Sequence, residues 1–198
     1  MEESTEPDKQ GLKHLSSFGR LYFKLIEFDP DEKLLLEIRK HPIGLSFIYI
    51  IGGFIAVTIF AVVTALASSG FFSEIGLEGY ESIVVFFGFL LSVFVIVVSY
   101  INGYLYKHNV IFITNEKIAQ VVNISLFHRK VSQLSIGDTQ DVSVAQKTFL
   151  ARAFNYGTLI IETAGEQQNY TFNYVPNPFV ASKVIINAHE ENLKHYGN

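Results

Sequence analysis

Two stretches of the chain hold no charged side chain: residues 43–67, 25 positions, and residues 83–106, 24 positions. About 20 consecutive apolar residues in a helix cover the hydrocarbon of a bilayer. A buried helix of a water-soluble protein is usually shorter and keeps a polar stripe. The pattern predicts a membrane-spanning hairpin, with helices over 43–67 and 83–106 and a short acidic loop over 68–82. Ala65-Leu66-Ala67 looks like a signal cleavage site. However, 42 residues precede the first run, and it is too long for a signal h-region of about 7–15 residues, so no cleavage is expected.

Beyond residue 106 the period changes from featureless to two. Val110, Phe112 and Thr114 alternate with Ile111 and Ile113, and Asn115-Glu116 reads as a turn into a second run at 118–122. Further runs lie near 131–136, broken by Gly137-Asp138, at 140–144, and at 159–163, ending at Gly165. Tyr170, Phe172 and Tyr174 give the cleanest alternation. Asn177 then suits a helix cap and Pro178 its first position, which predicts a helix from about 178 to 194 with Val180, Val184 and Ala188 on one face. Six or seven short antiparallel strands closed by one helix predict a small α+β barrel or sandwich over 107–198, its interior filled by side chains.

The N-terminal part is less regular. Residues 1–10 carry four acids and no large apolar residue except Met1, and are expected to be a disordered tail. Residues 11–42 form a lead-in. Within it Leu12, Leu15, Phe18, Tyr22 and Leu25 recur at helical spacing, with Lys13, Arg20 and Lys24 on another face. An interfacial amphipathic helix fits this spacing. A packed strand or loop fits equally well, since Leu21, Phe23 and Ile26 interrupt the stripe. Residues 33–38 read as a short extended or helical segment stopped at His41-Pro42.

Composition sharpens this picture. The chain has 198 residues, 49 % hydrophobic and 17 % charged, and its mean hydropathy is +0.28. The absence of Cys excludes disulfides, Cys-ligated metals and a cysteine nucleophile. A net charge of −4 disfavours nucleic acid as a partner. Charge position sets orientation. Lys24, Lys33, Arg39 and Lys40 precede the first span, and Lys107, Lys117, Arg129 and Lys130 follow the second. Residues 68–82 hold Glu74, Glu78 and Glu81 and no Lys or Arg. Both termini are therefore expected in the cytoplasm. The sequons at Asn123 and Asn169 then lie on the wrong side for glycosylation. Gly52 and Ala56, and Gly88 and Ser92, form small-xxx-small steps suited to close helix–helix packing.

No catalytic or metal-binding constellation stands out. His189 and His195 are six positions apart, about 600° around a helix, whereas the zinc motif needs four. No phosphate-cradling loop and no nucleophile elbow is present. The expected reading has no cofactor, no small-molecule substrate and no enzyme activity. One basic cluster stands out: Lys107 and His108 beside the second span, with His128, Arg129 and Lys130 further on. Cations near an inner leaflet are worth about 1 kcal/mol each against anionic lipid. Residues 107–198 nevertheless hold eight Lys/Arg against seven Asp/Glu, so overall attraction is weak.

The order of local motifs resembles the bacterial pleckstrin-homology-like (PH-like) membrane proteins. Val-Ile-Phe-Ile-Thr-Asn-Glu-Lys-Ile at 110–118 is similar to their first hairpin, and residues 126–130 to the loop after the second strand. Asp138-Thr139-Gln140-Asp141-Val142, Phe154-Asn155-Tyr156-Gly157-Thr158-Leu159 and Val175-Pro176-Asn177-Pro178 match other family segments. Glu32-Lys33 and Arg39-Lys40-His41-Pro42 are like the family's lead-in. The chain departs at Glu116-Lys117, where the family often has two basic residues. The resemblance implies a PH-like domain of about seven strands capped by a helix, tethered by the hairpin, and it implies binding rather than catalysis. The expected function is a non-enzymatic adaptor or scaffold in the cytoplasmic membrane, contacting the bilayer and a protein or peptide partner, with self-association open. Anionic headgroup recognition at Lys107, His108, His128, Arg129 and Lys130, and an oligomeric pore subunit, are the alternatives.

Overall fold

The computed structural model describes residues 15, 16, 19, 20, 22, 26, 28, 32–163 and 170–196. The expected acidic tail, most of the 12–28 stripe, the turn at Gly165 and the sequon at Asn169 lie outside the described residues. The chain divides into two compact units, Gly44–Tyr106 and the remainder on either side of it.

The first unit is a helical hairpin. Helix α1 spans Pro42–Ser68 and helix α3 Glu81–Lys107, 27 residues each, or about 40 Å at 1.5 Å per residue. Both are long and apolar enough to cross a membrane, with mean window hydropathies of 2.5 and 2.8. A single-turn helix, α2 (Phe71–Glu74), interrupts the connecting loop. The buried positions are small: Gly44, Gly52 and Ala56 on α1, and Gly88, Ser92 and Gly103 on α3. A Cβ on Gly52 would strike the Ser99 hydroxyl, and one on Gly103 would strike the Tyr49 ring. A Cβ on Gly88 would lie 2.7 Å from Val63 Cγ1. These contacts put 52 opposite 99 and 63 opposite 88, an antiparallel register in which Ala56 and Ser92 are offset by about one turn. Several polar side chains bond along their own helices. Ser92 Oγ donates to the Gly88 carbonyl, and Asn102 Nδ2 donates to that of Val98 at 2.9 Å.

The second unit has two antiparallel sheets. Strands β1 (Leu34–Arg39), β2 (Val110–Thr114), β3 (Lys117–Asn123) and β4 (Arg129–Ser135) form one sheet in chain order. Strands β5 (Thr139–Ala145), β6 (Tyr156–Thr163) and β7 (Tyr170–Pro176) form the other. A 3₁₀ turn at Ile136–Asp138 joins them, and a short helix α4 (Phe149–Ala153) links β5 to β6. Helix α5 (Pro178–Tyr196) closes the core, which runs from Ile38, Ile113 and Ile118 through Leu159, Ile161 and Phe172 to Ala181, Ile185 and Ala188.

Three local expectations change. Residues 34–39 form a full strand, paired to β2 from Leu34↔Thr114 to Arg39↔Val110, so one strand of the sandwich precedes the first apolar helix. The ladder supplies partners that a lone six-residue segment lacks. On α5 the buried stripe is Ala181, Ile185 and Ala188, while Val180 is exposed. The helix lies on the core by its small residues, which rotates Val180 about 100° away. In β7 the alternation slips: Tyr174 has φ +59° and Val175 points into the core instead. The pairing with β6 is irregular at the same place, as at a bulge.

The outer face of the four-stranded sheet is also covered. Leu15, Tyr22 and Ile26 are buried against Val110, Phe112, Ala119 and Val121. Every residue of β2 is consequently buried, and its apolar run is continuous for that reason. Ser16 donates from its backbone N–H (2.8 Å) and its hydroxyl (2.5 Å) to the Glu37 carboxylate on β1. The described part of the 12–28 stripe thus packs on protein.

Gly88 and Gly53 make a controlled comparison. A methyl at Gly88 meets the β-branched Val63, which has few rotamers to yield with, and Gly88→Ala should cost about 1–3 kcal/mol. Nothing lies within 4 Å of a Cβ at Gly53, so Gly53→Ala should be neutral or stabilising by up to about 1 kcal/mol. Thermal unfolding of both variants in one detergent measures the difference, and equal shifts would contradict the packing.

Candidate functional site

Antiparallel pairing places the C-terminal end of β1, the start of β2, the end of β3 and the start of β4 at one end of their sheet, through Arg39↔Val110, Val110↔Val121 and Val121↔Val131. The second sheet joins the same end. The His41 N–H donates to the Tyr174 carbonyl at 2.6 Å, and the His41 ring stacks on Tyr156, which stacks on Tyr174, with centroids 5.3 and 5.7 Å apart. Both covalent links to the apolar helices, at 40–42 and 107–109, leave from this end.

The basic residues singled out by the sequence converge here, in different states. His108 is buried, and the Lys107 and His108 carbonyls accept from Arg39 Nη2 (3.4 Å) and Asn123 Nδ2 (2.7 Å). Asn123 is the hub: its N–H donates to Asn109 Oδ1 at 2.7 Å, and its Oδ1 accepts from Arg129 Nε at 3.1 Å. The Arg129 guanidinium also lies 4.9 Å over the Tyr22 ring. His128 and Lys130 are exposed. His128 anchors the hairpin tip by its backbone, its carbonyl accepting from Ile124 and Ser125 and its N–H donating to Ser125 Oγ at 3.0 Å. Between Asn123 and His128 the tip holds Ile124, Leu126 and Phe127, all exposed, Phe127 by 98 %. The sequence pattern points to the cations, and these apolar neighbours are marked only by an alternation that stops between two strands. Gly52, Ala56, Gly88 and Ser92 all lie in the separate helical unit, at its buried face.

The family model for the bacterial PH domain matches residues 43–184. This chain belongs to the bacterial PH domain family. No curated protein and no solved structure matches it. Strand β1, just before the matched stretch, is an integral part of this PH domain's first sheet.

The motif residues that carry the resemblance, with Gln146 beside them, hold the same end together. Asn155 and Asn177 both adopt positive φ (50° and 46°), and Asn155 Nδ2 donates to Asn177 Oδ1 at 2.6 Å. Gln146 Nε2 donates to the Ala151 and Tyr156 carbonyls. A Cβ at Gly157 would come within 2.9 Å of the Ala145 carbonyl oxygen, so only glycine lets β6 approach β5 here. The segment Phe154–Leu159 thus shapes the corner on which His41 rests. His189, set aside as a metal ligand by spacing, bonds the Ile136 carbonyl through Nδ1 at 2.8 Å.

A cavity of about 130 Å³ opens between the sheets, lined by Lys40, Asn109, Gln120, Asn173 and the flanks of Ile38 and Phe172. Burial pushes the Lys40 amine below its usual 10.5, because the ammonium loses hydration. Lys117 Nζ sits 3.0 Å from the Glu32 carboxylate and 5.4 Å from the Phe28 ring centroid, while Glu32 accepts from Thr114 Oγ1. Lys117 therefore serves the fold at the opposite end of the sheet.

His41 titrates in a readable way. Its Nδ1 accepts from the Ile43 N–H at 3.2 Å, capping α1 just before Pro42, and an acceptor nitrogen must be unprotonated. Burial holds its pKa below the usual 6.5. As pH falls below 6.5 the unfolded chain takes up this proton before the folded one, so stability present above that value is lost on acidification until the folded pKa is passed. His41→Asn keeps a capping side chain and removes the titration. Its thermal midpoint should fall less than that of the parent between about pH 7.5 and about pH 5. Parallel curves would remove His41 from the pH dependence.

Proposed function

We propose that the two apolar helices cross the cytoplasmic membrane as a hairpin, with both termini cytoplasmic, and hold the PH domain at the inner surface as a non-enzymatic binding module. Residues 68–82 contain no Lys or Arg, whereas cations flank both outer helix ends, which supports that orientation. The ligand in this reading is an extended segment of another protein, added to the sheet beside β4.

One observation carries the reading: β4 pairs with β3 along all seven residues and with no other strand among the described residues. Its outer edge therefore offers a ladder of N–H and C=O groups, and five of its seven residues are exposed. Main-chain pairing would supply affinity, and the exposed Val131 and Gln133 side chains, with Arg129 and Lys130 at one end, would select an acidic or mixed partner.

The edge can be tested directly. Of the neighbours Ser132 and Gln133, one amide faces β3 and the other faces outward, and hydrogen exchange distinguishes them. Proline at the outward position is tolerated by an edge strand but blocks an added one. A photo-crosslinking residue at Gln133 in native membranes should capture a polypeptide of defined mass, and that proline should abolish capture without lowering the melting temperature. The same probe at Glu162, on the central strand β6, is the control. Equal labelling at both positions, or none at Gln133, would reject strand addition.

A further inference from the structure

Apolar exposure and charge are both polarised along the PH domain. Four phenylalanines of this unit are exposed among the described residues: Phe127 (98 %), Phe149 (83 %), Phe179 (61 %) and Phe154 (51 %). They come from three separate connections, β3–β4, β5–α4–β6 and β7–α5. All three connections lie at the end from which the chain leaves for α1 and returns from α3. The β3–β4 tip is tied there by Asn123 to His108 and Asn109, and the other two by the His41–Tyr156–Tyr174 stack and the Asn155–Asn177 bond.

The charges follow the same axis. The three connections, the first two residues of β4 and the first turns of α5 carry Arg129, Lys130, Lys147, Arg152 and Lys183, and no Asp or Glu. Glu116, Asp138, Asp141, Glu162, Glu190 and Glu191 sit toward the other pole, where Lys117 and Lys194 offset only part of their charge. The net charge of the sequence conceals this separation.

We infer that the Phe127–Phe149–Phe179 end of the PH domain is seated in the headgroup region of the bilayer, with Phe127 at the hairpin tip inserted among the acyl chains. The inference rests on the reading that α1 and α3 span the membrane. The links argue for the bilayer as occupant. Only Lys40 and His41 separate β1 from α1, and only His108 and Asn109 separate α3 from β2. Two residues reach about 7 Å, so this end cannot withdraw from the surface where the helices emerge. Aromatic and aliphatic side chains beside cations are the composition that partitions into an anionic interface. Hydrocarbon covers the phenylalanines and lipid phosphate meets the Lys and Arg side chains. The opposite, acidic pole faces water.

The chain has no tryptophan, so one introduced indole reports on one place. Phe127→Trp and Phe149→Trp, in the full-length protein reconstituted into phosphatidylcholine–phosphatidylglycerol vesicles, should emit to the blue of Leu193→Trp. Brominated acyl chains should quench them severalfold more. Leu193 is exposed near the far end of α5 and is the control. Arg129→Glu with Lys130→Glu should reduce quenching at position 127. Both indoles behaving like that at 193 would overturn the inference, as would a blue shift that fades on dilution, which would indicate a second copy. Carbonate washing of the same vesicles separates the two failures. Protein retained but unquenched rejects only the seating, whereas protein released rejects the membrane span and the seating with it.

Discussion

The structure depends on one strand pair. β1 leaves the sheet at Arg39 and the chain re-enters it at Val110, directly opposite, after an excursion of two 27-residue helices. Equal helix lengths and an antiparallel register return the chain to the level at which it left. The ladder between β1 and β2 then closes the excursion with backbone hydrogen bonds. The apolar unit and the sandwich are thus two packing problems coupled by one covalent constraint.

That constraint explains why so many polar side chains crowd one end of the sandwich. The His108 carbonyl and the Asn109 side chain bond to Asn123, Arg39 reaches the Lys107 carbonyl, and His41 caps α1 while stacking on Tyr156. Each of these contacts lies within a few residues of a helix link in the chain. The opposite end is secured by the Glu32–Lys117 pair and the Thr114 hydroxyl, so the cation at the position where the chain departs from the family pattern serves the fold. The end that carries the helix links has exposed apolar loops, and those loops carry Lys and Arg but no Asp or Glu.

Much of the strand order was legible because period-two alternation reflects one buried face. It worked for Leu159, Ile161 and Thr163, which all turn inward. It failed where a second partner covers the outer face: β2 is buried on both sides because Leu15, Tyr22 and Ile26 lie over Phe112 and Ala119. It failed also at Tyr174, where a positive φ shifts the alternation by one residue. The basic cluster was legible as composition but not as a site. Neither the burial of His108 nor the engagement of Arg129 with Asn123 and Tyr22 leaves a mark on spacing.

The sequence by itself determined the two helices, because hydrocarbon-length apolar runs without charge have few other solutions in water. It also determined the approximate positions of six strands and the last helix. Only the tertiary structure decided that residues 34–39 belong to the sheet, since a strand is defined by its partner and that partner lies 71 to 80 positions further along the chain. It alone gathered the phenylalanines and cations of three distant loops at one end and left the acids toward the other. Such polarity is a property of chain direction in antiparallel sheets, and a net charge or a hydropathy average cancels it.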